Sequence, residues 1–206
     1  ENNIILIFDE CTSGFRETFG GLHKKYDVEP DLAIFAKALG NGYAISACIG
    51  RQEFMQAAQK TFISSTFWTE RIGPTAALKT LEVMEREKSW KTITKIGNNI
   101  SYQWKTLADK HELDISTWGL PALSGYTFNS SNALHYKTLV TQEMLKKGYL
   151  AANSVYACTE HKQDLVDGYF SELDPIFAII KECEEGLDVS TLLKGSLCHS
   201  GFKRLN

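Results

Sequence analysis

Apolar residues fall first into short continuous runs and then, from about Pro74 onward, into helical spacing. Runs at 4–8, 32–36 and 44–49 are separated by glycine-bearing turns and read as strands. The first, Ile4-Ile5-Leu6-Ile7-Phe8, has no polar relief and suits a strand buried on both faces of a parallel sheet. Gln52–Lys60 reads as helical. Ala77, Leu78, Leu81 and Met84 then predict a helix with Pro74 in its first turn. Ile93, Ile96, Ile100, Trp104 and Leu107 predict a second. Leu-Ser-Gly-Tyr-Thr-Phe-Asn at 123–129 alternates as a strand does. Leu139–Lys147 reads as a helix with a basic last turn, and Gly148 suits a left-handed cap. The last helix runs over roughly Lys162–Glu185 on Leu165, Tyr169, Leu173, Ile176 and Ile180, and Pro175 is expected to kink or divide it.

This order, strands first and helices later, predicts an α/β chain of two lobes. The charged segment Glu85-Arg86-Glu87-Lys88 marks the boundary, giving expected domains 1–88 and 89–206. The chain starts at Glu1 and enters an interior-type strand almost at once. It is therefore expected to be the C-terminal part of a longer protein, because parallel strands need crossover partners.

Composition narrows the functional classes. At 206 residues with 43% hydrophobic and 23% charged positions, the chain is an ordinary globular sequence. A net charge of −3 gives no reason to expect nucleic acid or an anionic membrane as partner. No apolar run approaches the roughly 20 residues of a membrane span. Five scattered cysteines fit reduced thiols in a cytoplasmic protein better than a disulfide framework. Cys158, His161, Cys198 and His199 could be assembled as a metal set on paper, but their spacing is unlike that of zinc sites, and no metal is expected.

Three features carry candidate chemistry. Lys37 follows Leu32-Ala33-Ile34-Phe35-Ala36, and an amine kept among apolar side chains loses solvation of its charged form and becomes a nucleophile able to form a Schiff base. The same pattern fits a lysine whose stem is buried and whose head reaches water. Asp9 ends the first strand, at the edge where open α/β sheets bind ligands, and would keep a heteroaromatic nitrogen protonated; it also fits a turn residue. In Ser-Ser-Thr-Phe-Trp-Thr-Glu-Arg-Ile-Gly-Pro at 64–74, the hydroxyls of Thr66 and Thr69 precede a helix start, which suits either a phosphate or an ordinary capped turn.

Together these segments resemble the class III, pyridoxal-phosphate-dependent aminotransferases of fold type I, and within them glutamate-semialdehyde aminomutase and its relatives. The family's strand-turn "DEVxTGFR" stands here as Asp9-Glu10-Cys11-Thr12-Ser13-Gly14-Phe15-Arg16, its "GVxPDL" as Asp27-Val28-Glu29-Pro30-Asp31-Leu32, and its lysine context as Ala36-Lys37-Ala38-Leu39-Gly40-Asn41-Gly42. The separation of 28 residues from Asp9 to Lys37 matches without a gap. The resemblance implies the end of the large, mostly parallel-sheet domain followed by the small C-terminal α/β domain. It implies pyridoxal 5'-phosphate as cofactor, held by a Schiff base to Lys37, with Asp9 on the ring nitrogen and Cys11 against the ring face. Thr69 would hold the phosphate, with Thr66 as the alternative, and the site would be shared across a homodimer. The implied activity is amino-group transfer from small-molecule donor to acceptor, as an aminotransferase or an intramolecular aminomutase. Two features depart from the family: Trp68-Thr69-Glu70-Arg71-Ile72-Gly73-Pro74 replaces "TLSGNP", and the upstream phosphate loop is not in this chain. A non-catalytic module that keeps the fold for oligomerisation is the alternative reading.

Overall fold

A computed structural model of the chain describes residues 4–67 and 69–201. They form two compact units, Glu1–Thr94 and Lys95–Asn206. The expected boundary at 88/89 falls where two helices meet, whereas the units divide a few residues later, inside the second of those helices.

Unit 1 is built on a three-stranded sheet in the order β1 (Ile7–Glu10), β2 (Leu32–Phe35), β3 (Ala47–Gly50). β1 and β2 are parallel, with Asp9 opposite Ile34 and Glu10 opposite Phe35. β3 returns antiparallel to β2. The sheet is therefore mixed, because the short connection from Lys37 to β3 can reverse the chain but cannot carry it over as a parallel crossover needs. The first apolar run is not enclosed as expected. Ile4 is 80% and Ile7 52% exposed, since only β2 pairs with this strand and nothing among the described residues covers its outer face.

Beyond β3, the segment read as one helix is a single turn, α1 (Gln52–Met55), continued by a 3-10 stretch, Gln56–Lys60. α2 (Ile72–Glu87) begins two residues before Pro74, which sits in the first turn where its missing N–H costs nothing. It ends at Lys88, in the left-handed conformation at φ 51°. The core of this unit is small: Phe15, Ala33, Phe35, Leu39 and Ala77, flanked by Phe8, Phe19, Leu81 and Met84.

Unit 2 contains most of α3 (Ser89–Lys110) and the antiparallel sheet β4 (Ile115–Leu120), β5 (Leu123–Phe128), β6 (Ser154–Tyr156). α4 (Ala133–Lys146) and α5 (Gln163–Glu184) complete it. α4 starts well before the expected Leu139, because Ala133, Leu134 and Tyr136 extend the same helical face. Gly148 takes φ +85°, the left-handed conformation that its position after the helix predicted. α5 stays one helix through Pro175, an exposed position. Its buried stripe of Val166, Tyr169, Phe170, Leu173, Phe177 and Ile180 packs with Trp104, Tyr126, Tyr136 and Met144 into a continuous core. The Trp104 indole N–H donates to the Tyr169 hydroxyl at 3.0 Å, which satisfies two otherwise buried polar groups.

Candidate functional site

Parallel pairing of β1 with β2 decides which residues can meet. Both strands end at the same edge of the sheet, so Asp9 and the residues after it face the residues that follow Phe35. β1 runs directly into a tight turn, closed by the Gly14 N–H donating to the Glu10 carbonyl at 2.9 Å. Glycine is required there. A Cβ on residue 14 would stand 2.7 Å from both the Glu10 oxygen and the Phe35 ring.

Alternation along the strand sends Asp9 and Glu10 to opposite environments. Asp9 is exposed, and its Oδ1 accepts the Cys11 N–H at 3.0 Å. The hydrogen-bonding Cys11 thiol and then the Cys11 amide hold the Asp9 carboxyl below its ordinary value; desolvation opposes them, and the Lys37 charge adds the least of these influences. The same contact with Asp9 pushes the Cys11 thiol up, so this cysteine is kept protonated. Glu10 is the buried partner, 1% exposed. Its carboxylate accepts from the Ser13 hydroxyl and from the His23 N–H at 3.1 Å, and it lies 3.1 Å from His23 Nδ1. Burial pushes Glu10 up, but these hydrogen bonds, with one from the Leu22 amide, outweigh it and leave the carboxyl lowered.

Lys37 lies at the start of a short 3-10 turn, Lys37–Leu39, directly beyond β2, with φ +43°. A non-glycine residue in this left-handed region carries a backbone cost of about 1–2 kcal/mol, tolerated where surrounding structure enforces it. Its side chain is exposed, so the expectation of an amine enclosed by apolar residues is not met among the described residues. The amine donates to the Thr12 hydroxyl in the turn after β1, linking segments 25 residues apart.

The expected phosphate segment is nearby in fold terms. A Cβ on Gly73 would stand 2.6 Å from the Ala44 carbonyl, so the first turn of α2 packs closely on the loop that follows Lys37. A shallow pocket of about 390 Å³ between them is lined by Tyr43, Arg71, Ile72, Thr75, Ala76 and Lys79. Thr66 and Thr69 are both exposed in the loop before α2. The free amides at the helix start, however, are met from within the chain. The Glu70 carboxylate accepts from the Ile72 N–H and from the Gly73 N–H at 3.1 Å.

The structure thus brings Asp9, Cys11 and Lys37 to one sheet edge and leaves Thr66 and Thr69 on the neighbouring loop. Sequence reasoning passed over three residues. Thr12 stood in a variable motif position, Glu10 could have been found from strand alternation beside an outward Asp9, and Glu70 lay two residues ahead of a helix start. A second pocket, about 440 Å³ in unit 2, is lined by Tyr149, Leu150, Tyr156, His161, Leu165 and Tyr169 among others and holds none of the site residues. There the Cys158 N–H donates to His161 Nδ1 at 2.9 Å.

Pyridoxal phosphate fits the ring end of this arrangement: an accessible carboxylate kept ionised beside an accessible amine is the donor set a protonated pyridine aldehyde requires. The phosphate end fits less directly, because Glu70 already satisfies the helix amides.

Comparison with known proteins bears on the family and the fold. Residues 1–154 match the family Aminotransferase class-III. A 3-aminobutyryl-CoA aminotransferase of Cloacimonas acidaminovorans is 39% identical over 139 residues, 67% of this chain and 34% of that protein. A glutamate-1-semialdehyde 2,1-aminomutase of Methanosphaera stadtmanae is 30% identical over 184 residues, covering 81% of this chain and 43% of that protein. The chain therefore spans less than half the length of these relatives. Among solved structures, the FumI protein of Sphingopyxis sp. MTA144 superimposes with a TM-score of 0.80 at 21% identity, over 90% of this chain and 45% of that one. An S-selective transaminase from Arthrobacter sp. gives 0.72 at 18% identity, over 88% and 46%. The fold is that of the fold type I transaminases, and the chain belongs to the class III, pyridoxal-phosphate-dependent aminotransferase family.

Proposed function

We propose that this chain carries the lysine-bearing part of a pyridoxal-phosphate site and that the whole protein transfers an amino group, either between two small molecules or within one, as glutamate-semialdehyde aminomutase does. The observation that carries the reading is the meeting of the Lys37 amine with the Asp9–Thr12 turn at one sheet edge.

Bound there, the cofactor supplies an aldehyde and an electron-withdrawing protonated ring. Lys37 would be the amine that holds it covalently, and its Nζ would hold or return a proton at the reacting carbon. Asp9, ionised across the neutral range, holds the proton on the ring nitrogen by charge pairing. Cys11 lies beside it as a small neutral thiol suited to the ring face. Thr69 is assigned to the phosphate and Thr66 is its alternative. With Glu70 on the amides of α2, the hydroxyl of one of these threonines, rather than the helix terminus, is what this chain offers the phosphate.

A homodimer completes the site. Its support is the exposed apolar surface of unit 1, including Tyr43, Phe62, Ile63, Phe67, Ile72 and Leu78, with Phe62 95% exposed. Large apolar side chains exposed on this unit are what a covering subunit would bury. The setting is cytoplasmic. Among the described residues no helix is long and apolar enough to cross a membrane, and all five cysteines are free thiols.

The test is titration with pyridoxal 5'-phosphate, borohydride reduction and peptide mass mapping, beside Lys37→Ala. A reduced adduct selective for Lys37 and absent from the variant is expected. Label spread evenly over the exposed lysines, unchanged by the substitution, would sink the assignment.

A further inference from the structure

We propose that Thr12 is a positioning residue for Lys37: its hydroxyl takes the hydrogen bond of the lysine amine and keeps that amine off the Asp9 carboxylate. The proposal rests on Lys37 being the cofactor lysine and adds a residue that neither the family match nor the motif assigns.

The two ends of this contact differ in freedom. Lys37 is exposed on a four-carbon stem and, left alone, would sample many rotamers. Thr12 is half-buried, β-branched and stiff at its first torsion. Its turn is anchored on both sides. The next residue, Ser13, is bonded to the buried Glu10 carboxylate, and the Thr12 carbonyl accepts from Arg16 Nε at 3.4 Å. Order therefore passes from Thr12 to Lys37.

The chemistry of the acceptor matters as much as its place. Asp9 carries an ionised carboxylate at the same sheet edge as the amine, and the Lys37 charge is one of the influences that lower that carboxyl. Among the described residues, though, Asp9 is engaged by Cys11 while Lys37 is engaged by a neutral hydroxyl. An Asp9–Lys37 ion pair would consume both groups at once. It would hold the amine as ammonium and cover the carboxylate that must meet the ring nitrogen. A hydroxyl accepts one N–H and imposes neither penalty. Thr12 thus separates the two charges of the site while fixing the distance between their segments.

Two substitutions test this, Thr12→Val, which keeps the shape and removes the hydroxyl, and Thr12→Ser, which restores it. In 15N-lysine-labelled chain, the Lys37 ammonium signal reports the contact through its solvent exchange, without cofactor. Exchange about three- to tenfold faster in Thr12→Val, and restored in Thr12→Ser, is expected for loss and recovery of one hydrogen bond at a partly exposed site. Borohydride trapping with pyridoxal 5'-phosphate is then timed at Lys37, with the other lysines as internal reference. Trapping about tenfold slower in Thr12→Val, and within about twofold of the parent in Thr12→Ser, is expected. Equal exchange and equal trapping in all three proteins would overturn the proposal. A protected Lys37 signal that Thr12→Val abolishes, with no Lys37 adduct in the parent, would instead overturn the cofactor-lysine reading, and the positioning role with it.

Discussion

Removing the buried carboxylate of Glu10 tests how the site turn is held. Glu10 is 1% exposed and accepts from the Ser13 hydroxyl and the His23 amide, with His23 Nδ1 also against it. Glu10→Ala leaves the His23 amide without its partner in a place closed to water. A buried donor stripped of its acceptor costs about 1–3 kcal/mol, more where the acceptor was charged, so about 3 kcal/mol is expected for the network. Glu10→Gln keeps one carbonyl oxygen for the His23 amide, and the Ser13 hydroxyl can turn to accept from the new amide. Only the charge assistance is lost, about 1 kcal/mol. In a unit of this size these figures correspond to melting shifts of roughly 12–24 °C and 4–8 °C. The pH dependence has a definite sign. The folded-state pKa of Glu10 lies below its ordinary value, so the ionised form contributes stability in full above the unfolded pKa, near 4.5. That contribution is lost as pH falls through the lowered folded value. The assay is thermal unfolding followed by circular dichroism at pH 7, 5, 4 and 3 for the parent and both variants. The gap between the parent and Glu10→Gln should be constant from pH 7 to 5 and close towards pH 3. A gap that persists unchanged at pH 3, or a Glu10→Ala protein as stable as the parent at pH 7, would refute the reasoning.

Two further outcomes concern the helix that abuts the site and the packing of unit 2. Glu70→Ala removes the carboxylate from the Ile72 and Gly73 amides and should lower stability by about 1 kcal/mol. It should also make the protein's melting temperature rise with added inorganic phosphate, a response absent from the parent; no difference in phosphate response would refute the view that Glu70 occupies the anion position. Gly97→Ala should destabilise despite the better helix propensity of alanine, worth about 1 kcal/mol. Its Cβ would stand 1.7 Å from the Pro121 carbonyl oxygen, so the β4–β5 turn must move, and a net loss of about 2–3 kcal/mol by denaturant titration is expected. A more stable Gly97→Ala protein would show that this close approach is not maintained in solution.

Much of the fold was readable because it depends on local periodicity. The helix bounded by Lys162 and Glu185 is present as α5 within one residue at each end, since its apolar stripe repeats over many turns and outweighs Pro175. Strand-bearing segments were harder. β4 and β6 were missed: β4 contains Ser116, Thr117 and Gly119 rather than an apolar run, and β6 is three residues long. Both exist because β5 pairs with them on either side, a long-range fact with no local signature. The exposure of Ile4 to Ile7 could not be foreseen either, because burial of a strand depends on what is brought against it and not on its own composition.

The sequence by itself determined the motif spacing that places an aspartate and a lysine at the ends of two strands, and hence the family to which the chain belongs. Spacing could carry that because residue order is covalent and each strand is locally specified. Only the tertiary structure decided which groups touch. Parallel register set Asp9 and Lys37 at one edge, strand alternation sent Glu10 inward to Ser13 and His23, and the turn after β1 brought Thr12 under the lysine amine. The same holds at α2, where the choice between a free helix terminus and one filled by Glu70 was made by side-chain geometry. Hydrogen bonds require distances near 3 Å, and no pattern of residues along a chain fixes such distances before the chain is folded.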